Sequence, residues 1–229
     1  RYLDLRRPSM LHTLRRRAEF YHFMRDYMEA HDFIEVTTPI LANSSPEGAR
    51  DFLVPSRLRP GQFYALPQAP QQFKQLLMVG GIPRYYQIAP CFRDEDPRAD
   101  RLYGDFYQLD LEMSFVEEGE VVRTTMEPLI KSLVTDFAHK KLLSEEIPRI
   151  PYQEAMNRFG VDKPDLRYGM ELIDLKEALK DTSFKVFQTE SVKAICVKNG
   201  ATLSRSQIDN FTEKARKLGA GGLAYIIYE

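Results

Sequence analysis

Residues 108–115 read Gln-Leu-Asp-Leu-Glu-Met-Ser-Phe, so Leu109, Leu111, Met113 and Phe115 alternate with Gln108, Asp110, Glu112 and Ser114. A period of two belongs to a strand, whose side chains point to opposite faces in turn. The segment therefore predicts a strand with one apolar face and one face bearing two carboxylates, and that second face should look into a polar cleft. A second β-prone run, 85–92, precedes it. The charged stretch from Arg93 to Asp105 joins the two strands into a pair.

Helical patterns surround this pair. From Met10 to His31, Leu11, Leu14, Ala18, Tyr21, Met24 and Met28 follow the three-and-four spacing of one buried helix face, crossed by the basic run Arg15-Arg16-Arg17. Phe33-Ile34-Glu35-Val36 then reads as a short strand stopped by Pro39. Small and polar residues from Asn43 to Arg50 predict a loop, and Phe63-Tyr64-Ala65-Leu66 a strand. Pro70 opens a helix that Gly80-Gly81 ends, placing Gln71 and Lys74 on one face. A long helix is expected over 119–141, interrupted near Pro128, and another between Pro151 and Gly160. After Lys163-Pro164-Asp165 the rhythm changes. Strands are expected at 184–187, 194–197 and 223–228, and a capping box at Ser204-x-x-Gln207. The chain thus divides into residues 1–165 and a small α+β domain over 166–229.

Composition narrows the function. The 229 residues, 43% of them hydrophobic, are enough to bury a core, and no apolar run approaches the length of a membrane span. A soluble, cytoplasmic protein is expected. The balance of 32 Lys+Arg against 33 Asp+Glu excludes binding of nucleic acid by overall charge, so any RNA contact must come from local patches. Cys91 and Cys196 have no C-x-x-C spacing, which points to two buried thiols and neither a disulfide framework nor a metal site. In the loop, Arg93, Arg98 and Arg101 suit a ligand with several phosphates, because the guanidinium fork matches phosphate oxygens and keeps its charge. On charge pattern alone, a surface loop of mutually compensating ion pairs explains them as well.

Phe92-Arg93-Asp94-Glu95-Asp96, Arg98-Ala99-Asp100-Arg101 and Phe106-x-Gln108-x-Asp110-x-Glu112-x-Ser114-Phe115 resemble motif 2 of the class II aminoacyl-tRNA synthetases in its aspartate-specific form. Phe33-Ile34-Glu35-Val36-Thr37-Thr38-Pro39 is similar to motif 1, the dimer-forming element of that family. Ser45-Pro46-Glu47-Gly48-Ala49-Arg50-Asp51 resembles the flipping loop of the bacterial aspartate enzymes. Tyr64-Ala65-Leu66-Pro67-Gln68-Ala69-Pro70-Gln71-Gln72-Phe73-Lys74-Gln75 resembles their amino-acid-binding helix, and residues 162–229 the domain inserted in the bacterial form. The resemblance implies an α+β fold in which an antiparallel sheet of class II type is flanked by helices, followed by part of the inserted domain. It implies an aspartate–tRNA ligase that uses ATP with Mg2+ to make aspartyl-adenylate, acts on tRNA(Asp) with tRNA(Asn) left open, and forms a homodimer through motif 1. Arg93 would hold the ATP α-phosphate, Glu95 would accept from the adenine amino group, and Phe106 would stack on the base. Lys74 would meet the side-chain carboxylate of L-aspartate with Asp110 orienting it, while Glu47 and Gln71 close over the ammonium end. For Glu112, placing Mg2+ and bracing the arginines stand as equal alternatives, and no protein metal site is assigned.

Several positions depart from the family pattern. Leu102-Tyr103-Gly104-Asp105 replaces a shorter segment, Ala69 stands where a serine is common, and Asp32 stands in place of a glycine. No counterpart of motif 3, of a second arginine for the aspartate side chain or of an anticodon-binding barrel is present. A fragment with little or no aminoacylation of its own is therefore expected, with a non-catalytic tRNA-binding relative as the competing reading.

Overall fold

The computed structural model describes residues 2–45, 47–96 and 104–227. Contacts divide it into two compact units, 1–142 and 143–229.

In the first unit, a short 3-10 turn (Tyr2–Arg6) leads into helix α1 (Pro8–Ala30), which starts on the proline that suits a first helical turn. Strand β1 (Ile34–Glu35) follows. The hairpin β2 (Leu53–Pro55) and β3 (Phe63–Ala65) precedes helix α2 (Gln71–Val79), after which come the long strands β4 (Arg84–Arg93) and β5 (Gly104–Met113). The central sheet has the order β1-β4-β5, with β1 parallel to β4 and β4 antiparallel to β5. Pairing Gln87 with Asp110 and Tyr86 with Leu111 sets which residues share a face.

One face of that sheet makes the core. Met28 of α1, Phe33, Tyr86 of β4 and Leu129 of helix α3 (Gly119–Ser132) are buried together, and Leu109, Leu111 and Met113 of β5 pack against them. The alternation expected over 108–115 resolves apolar side inward as far as Met113, where the strand ends; Phe115, expected on the apolar face, has φ of 58° and is 99% exposed. The face of α1 behaves differently along its length: Met24 and Met28 are buried, whereas Leu11 and Leu14 are 39% and 43% exposed. At its C-terminal end α1 is held by Arg25, whose guanidinium donates to both carboxylate oxygens of Glu35, and by Arg84, which donates to the His31 carbonyl. Helix α3 runs through Pro128 and gives way to a π turn (Leu133–Phe137), so the expected interruption falls about one turn later.

In the second unit, helix α4 (Tyr152–Phe159) lies between Pro151 and a left-handed Gly160, as the sequence predicts. Strands β6 (Leu172–Asp174) and β7 (Lys193–Ile195) form an antiparallel pair, and helix α5 (Arg205–Lys217) begins on a complete capping box of Ser204 and Gln207. Two expected strands are absent among the described residues. Residues 185–187 form a 3-10 turn, stabilised by the ring contact of Phe184 with Phe187 at 5.3 Å, and 223–227 has no ladder. Apolar runs this short do not distinguish a strand from a turn that clusters its rings. Cys196 is exposed, so the expectation of two buried thiols holds only for Cys91.

Candidate active site

The sheet face opposite the core carries Tyr85, Gln87, Cys91 and Arg93 from β4 alongside Phe106, Gln108, Asp110 and Glu112 from β5, because paired residues in a ladder point the same way. Helix α2 presents Lys74 to its middle. The ammonium lies 3.0 Å from Asp110 Oδ1 and 3.1 Å from Glu112 Oε2, with the Lys74 and Asp110 side chains 10% and 11% exposed. Helix spacing and strand alternation thus bring together the two residues expected to recognise a carboxylate. Glu112 joins them on Lys74, which is neither of the two roles considered for it.

The electrostatics are those of a crowded, dry site. Burial pulls the Lys74 ammonium down, but hydrogen bonds and charge from Asp110 and Glu112 outweigh it, so its pKa rises and it stays charged. Burial pushes the Asp110 carboxyl up, and Lys74 only partly opposes this. Asp110 Oδ2 is buried with no donor among the described residues. Below the pair, Gln87 is 4% exposed and its Oε1 accepts from Thr38 N, Thr38 Oγ1 and Tyr85 Oη, locking the floor of the site. Burial lifts the Cys91 thiol to about 11.

At the open end of the hairpin the Arg93 guanidinium lies 5.1 Å from the centre of the Phe106 ring. Four residue steps along the strand separate Phe106 from Asp110, about 13 Å at roughly 3.3 Å each, a span suited to a ligand larger than an amino acid. Glu95 follows Arg93, half-buried. Gln71 is half-buried in the first turn of α2, and Glu47 is exposed, with one carboxylate oxygen 3.5 Å from the Ser45 hydroxyl. Neither hydrogen-bonds to Lys74 or Asp110 among the described residues. Arg98, Ala99, Asp100, Arg101, Leu102 and Tyr103 lie outside the described residues.

One buried cluster has no signal in the sequence. Gln68 hydrogen-bonds the backbone of Ala49 and the side chain of Asp51, and the Ser44 hydroxyl donates to Asp51. A glutamine between a proline and an alanine has no periodicity to betray it.

Comparison with known proteins gives the family of the chain. Residues 1–217 match the family of tRNA synthetases class II (D, K and N). The aspartate–tRNA(Asp/Asn) ligase of Pelodictyon phaeoclathratiforme is 54% identical over 231 aligned positions, and that of Chlorobium phaeovibrioides 52%, each alignment covering 99% of this chain. The chain spans 38% of the length of these relatives. A crystal structure from Leishmania major Friedlin, assigned as an aspartyl-tRNA synthetase, superposes with a TM-score of 0.52 at 26% identity, covering 60% of this chain and 26% of that one. Matched through both strands of its site-bearing hairpin and the helix that crosses them, the chain belongs to the class II tRNA synthetases of the D, K and N family.

Proposed function

We propose that this chain supplies part of the active site of an aspartate–tRNA ligase, which activates L-aspartate with ATP and transfers it to tRNA(Asp) and, as in the names of its relatives, tRNA(Asn). The observation that carries the reading is the buried Lys74 held between Asp110 and Glu112 on the strand face that also bears Arg93 over Phe106.

A charged lysine in a dry pocket selects a carboxylate side chain over an amide, because asparagine would leave the ammonium without its counter-charge. Asp110 aims the lysine, and Glu47 and Gln71 bind the α-amino end. Arg93 offsets the charge that builds on the α-phosphate as the aspartate carboxylate attacks, a step that needs no general base. Phe106 stacks on adenine, and Glu95 accepts from its amino group. Mg2+ enters with ATP. Glu112 is already engaged by Lys74, and no group of three or more His, Cys, Asp or Glu is placed to hold a metal among the described residues, so no step is assigned to a protein-bound ion.

The exposed apolar stripe of α1, with Ile34, Ile40 and Leu41, supports dimerisation through this region, and the activity places the protein in the cytoplasm. Aspartate-dependent ATP–pyrophosphate exchange by the full reading frame, with asparagine and lysine as controls, tests the function. Exchange with aspartate alone supports it, and none from a folded, full-length protein overturns it in favour of a non-catalytic relative.

A further inference from the structure

Gln68 is 1% exposed, and among the described residues it hydrogen-bonds to Ala49 and Asp51 and to none of the groups assigned to substrate above. Its Oε1 accepts from Ala49 N at 3.0 Å, while Nε2 donates to the Ala49 carbonyl at 2.9 Å and to Asp51 Oδ1 at 2.5 Å. The other oxygen of Asp51 accepts from the Ser44 hydroxyl at 2.5 Å. One side-chain amide therefore ties down Ala49 and Asp51, two and four residues after Glu47. A second tie joins the same segment to the end of β4: Asp94 N donates to the Arg50 carbonyl at 3.0 Å, and Arg50 Nε donates to the Asp94 carbonyl at 3.0 Å.

We propose that Gln68, acting with Asp51 and Ser44, is a positioning residue that fixes the base of segment 44–51 so that Glu47 meets the α-amino group of aspartate. The inference rests on the aspartate-ligase reading above. Only a primary amide offers a donor and an acceptor in one plane to the N–H and C=O of a single residue, so neither a hydroxyl nor a carboxylate can replace it at Ala49. Burial makes each of these bonds expensive to leave unmade. An untethered segment would have to be ordered by the ligand itself, and that entropy would be taken from the affinity for the group it touches. The loss falls chiefly on aspartate, because the bonds of Gln68 hold Ala49 and Asp51, whereas the Arg50–Asp94 tie beside the ATP residues does not involve Gln68.

The test is steady-state ATP–pyrophosphate exchange by the full-length protein, varying aspartate and ATP separately. Gln68→Glu keeps the acceptor for the Ala49 N–H but sets a carboxylate oxygen against both the Ala49 carbonyl and Asp51. We expect it to raise the aspartate KM about tenfold, with kcat within threefold and the ATP KM within twofold. Adding Asp51→Asn reverses the donor: the amide nitrogen introduced at position 51 gives to the carboxylate introduced at position 68, while the amide oxygen still accepts from Ser44. The double variant recovers the share of the KM defect due to Asp51, while the Ala49 carbonyl stays without its donor. Ser44→Ala, a milder change at the exposed rim, raises the aspartate KM two- to threefold and keeps the variant series informative should Gln68→Glu fail to fold. An unchanged aspartate KM in Gln68→Glu or in Ser44→Ala, an equal loss in kcat and both KM values, or no recovery in the double variant overturns the proposal. Absence of aspartate-dependent exchange in the unsubstituted protein overturns the ligase reading and this proposal with it, a result distinguishable because it precedes any substitution.

Discussion

Lys74 sits where two carboxylates compete for one ammonium. Lys74→Met keeps the volume but leaves Asp110 and Glu112 facing each other, and we expect a loss of about 3 kcal/mol in urea denaturation, as when one partner of a buried ion pair is removed. Lys74→Met with Asp110→Leu should recover most of that loss while abolishing aspartate recognition. The two cysteines diverge for the same physical reason. Cys91, buried and lifted to about 11, resists iodoacetamide at pH 8 in the folded protein, while the exposed Cys196 is alkylated; mass spectrometry of the native adduct reads both. Asp165 shows the opposite shift. Side-chain hydrogen bonds from Arg167, aided by its backbone N–H, draw the Asp165 carboxyl down to about 2. A depressed carboxylate adds stability above its ordinary value near 3.8, and that contribution is lost as pH falls through the folded value. Carboxyl NMR should place the Asp165 titration well below that of the exposed acids.

Helix α1 is buried at Met24 and Met28 and open at Leu11 and Leu14, so its C-terminal half packs in the core of this unit while its N-terminal half leaves apolar side chains exposed. Under the dimerisation proposed above, Leu11→Lys with Leu14→Lys leaves the fold intact, since neither residue belongs to the core cluster, and gives a monomer in sedimentation of the full-length protein; an unchanged oligomeric state overturns that proposal. Ser204→Ala removes the hydroxyl that accepts from Gln207 N at the start of α5 and should cost about 1 kcal/mol, read as a lower melting temperature of the second unit. These elements were legible because their signals are local: a proline at the first turn, a serine three residues before a glutamine, an alternation six residues long. The meeting of Lys74 with Asp110 was legible in the same way, each from the period of its own element. What the sequence did not disclose depends on distant chain. The grip of Gln68 on Ala49 involves a loop seventeen or more residues upstream; the turn at 185–187 is local and is the exception, missed because so short an apolar run does not distinguish a strand from a turn that packs Phe184 on Phe187.

The two compact units meet in sequence at residues 142 and 143, within an exposed stretch without regular structure that contains Lys140 and Lys141. Limited trypsinolysis should yield an early product ending at one of these lysines, whereas the expectation of a boundary at 165/166 would favour Arg167. Asp32 lies at the turn between α1 and β1 with φ of 63°, the left-handed region where a side chain is disfavoured and glycine is not. Glycine is the residue the family pattern leads one to expect there, and the backbone explains why. Asp32→Gly relieves that left-handed conformation, a gain offset in part by the greater freedom of glycine in the unfolded chain, so we expect a net rise in stability of less than about 1 kcal/mol in urea denaturation. For anyone engineering this scaffold to survive heat, the simplest gain lies in relaxing one bend that the rest of the fold holds under tension.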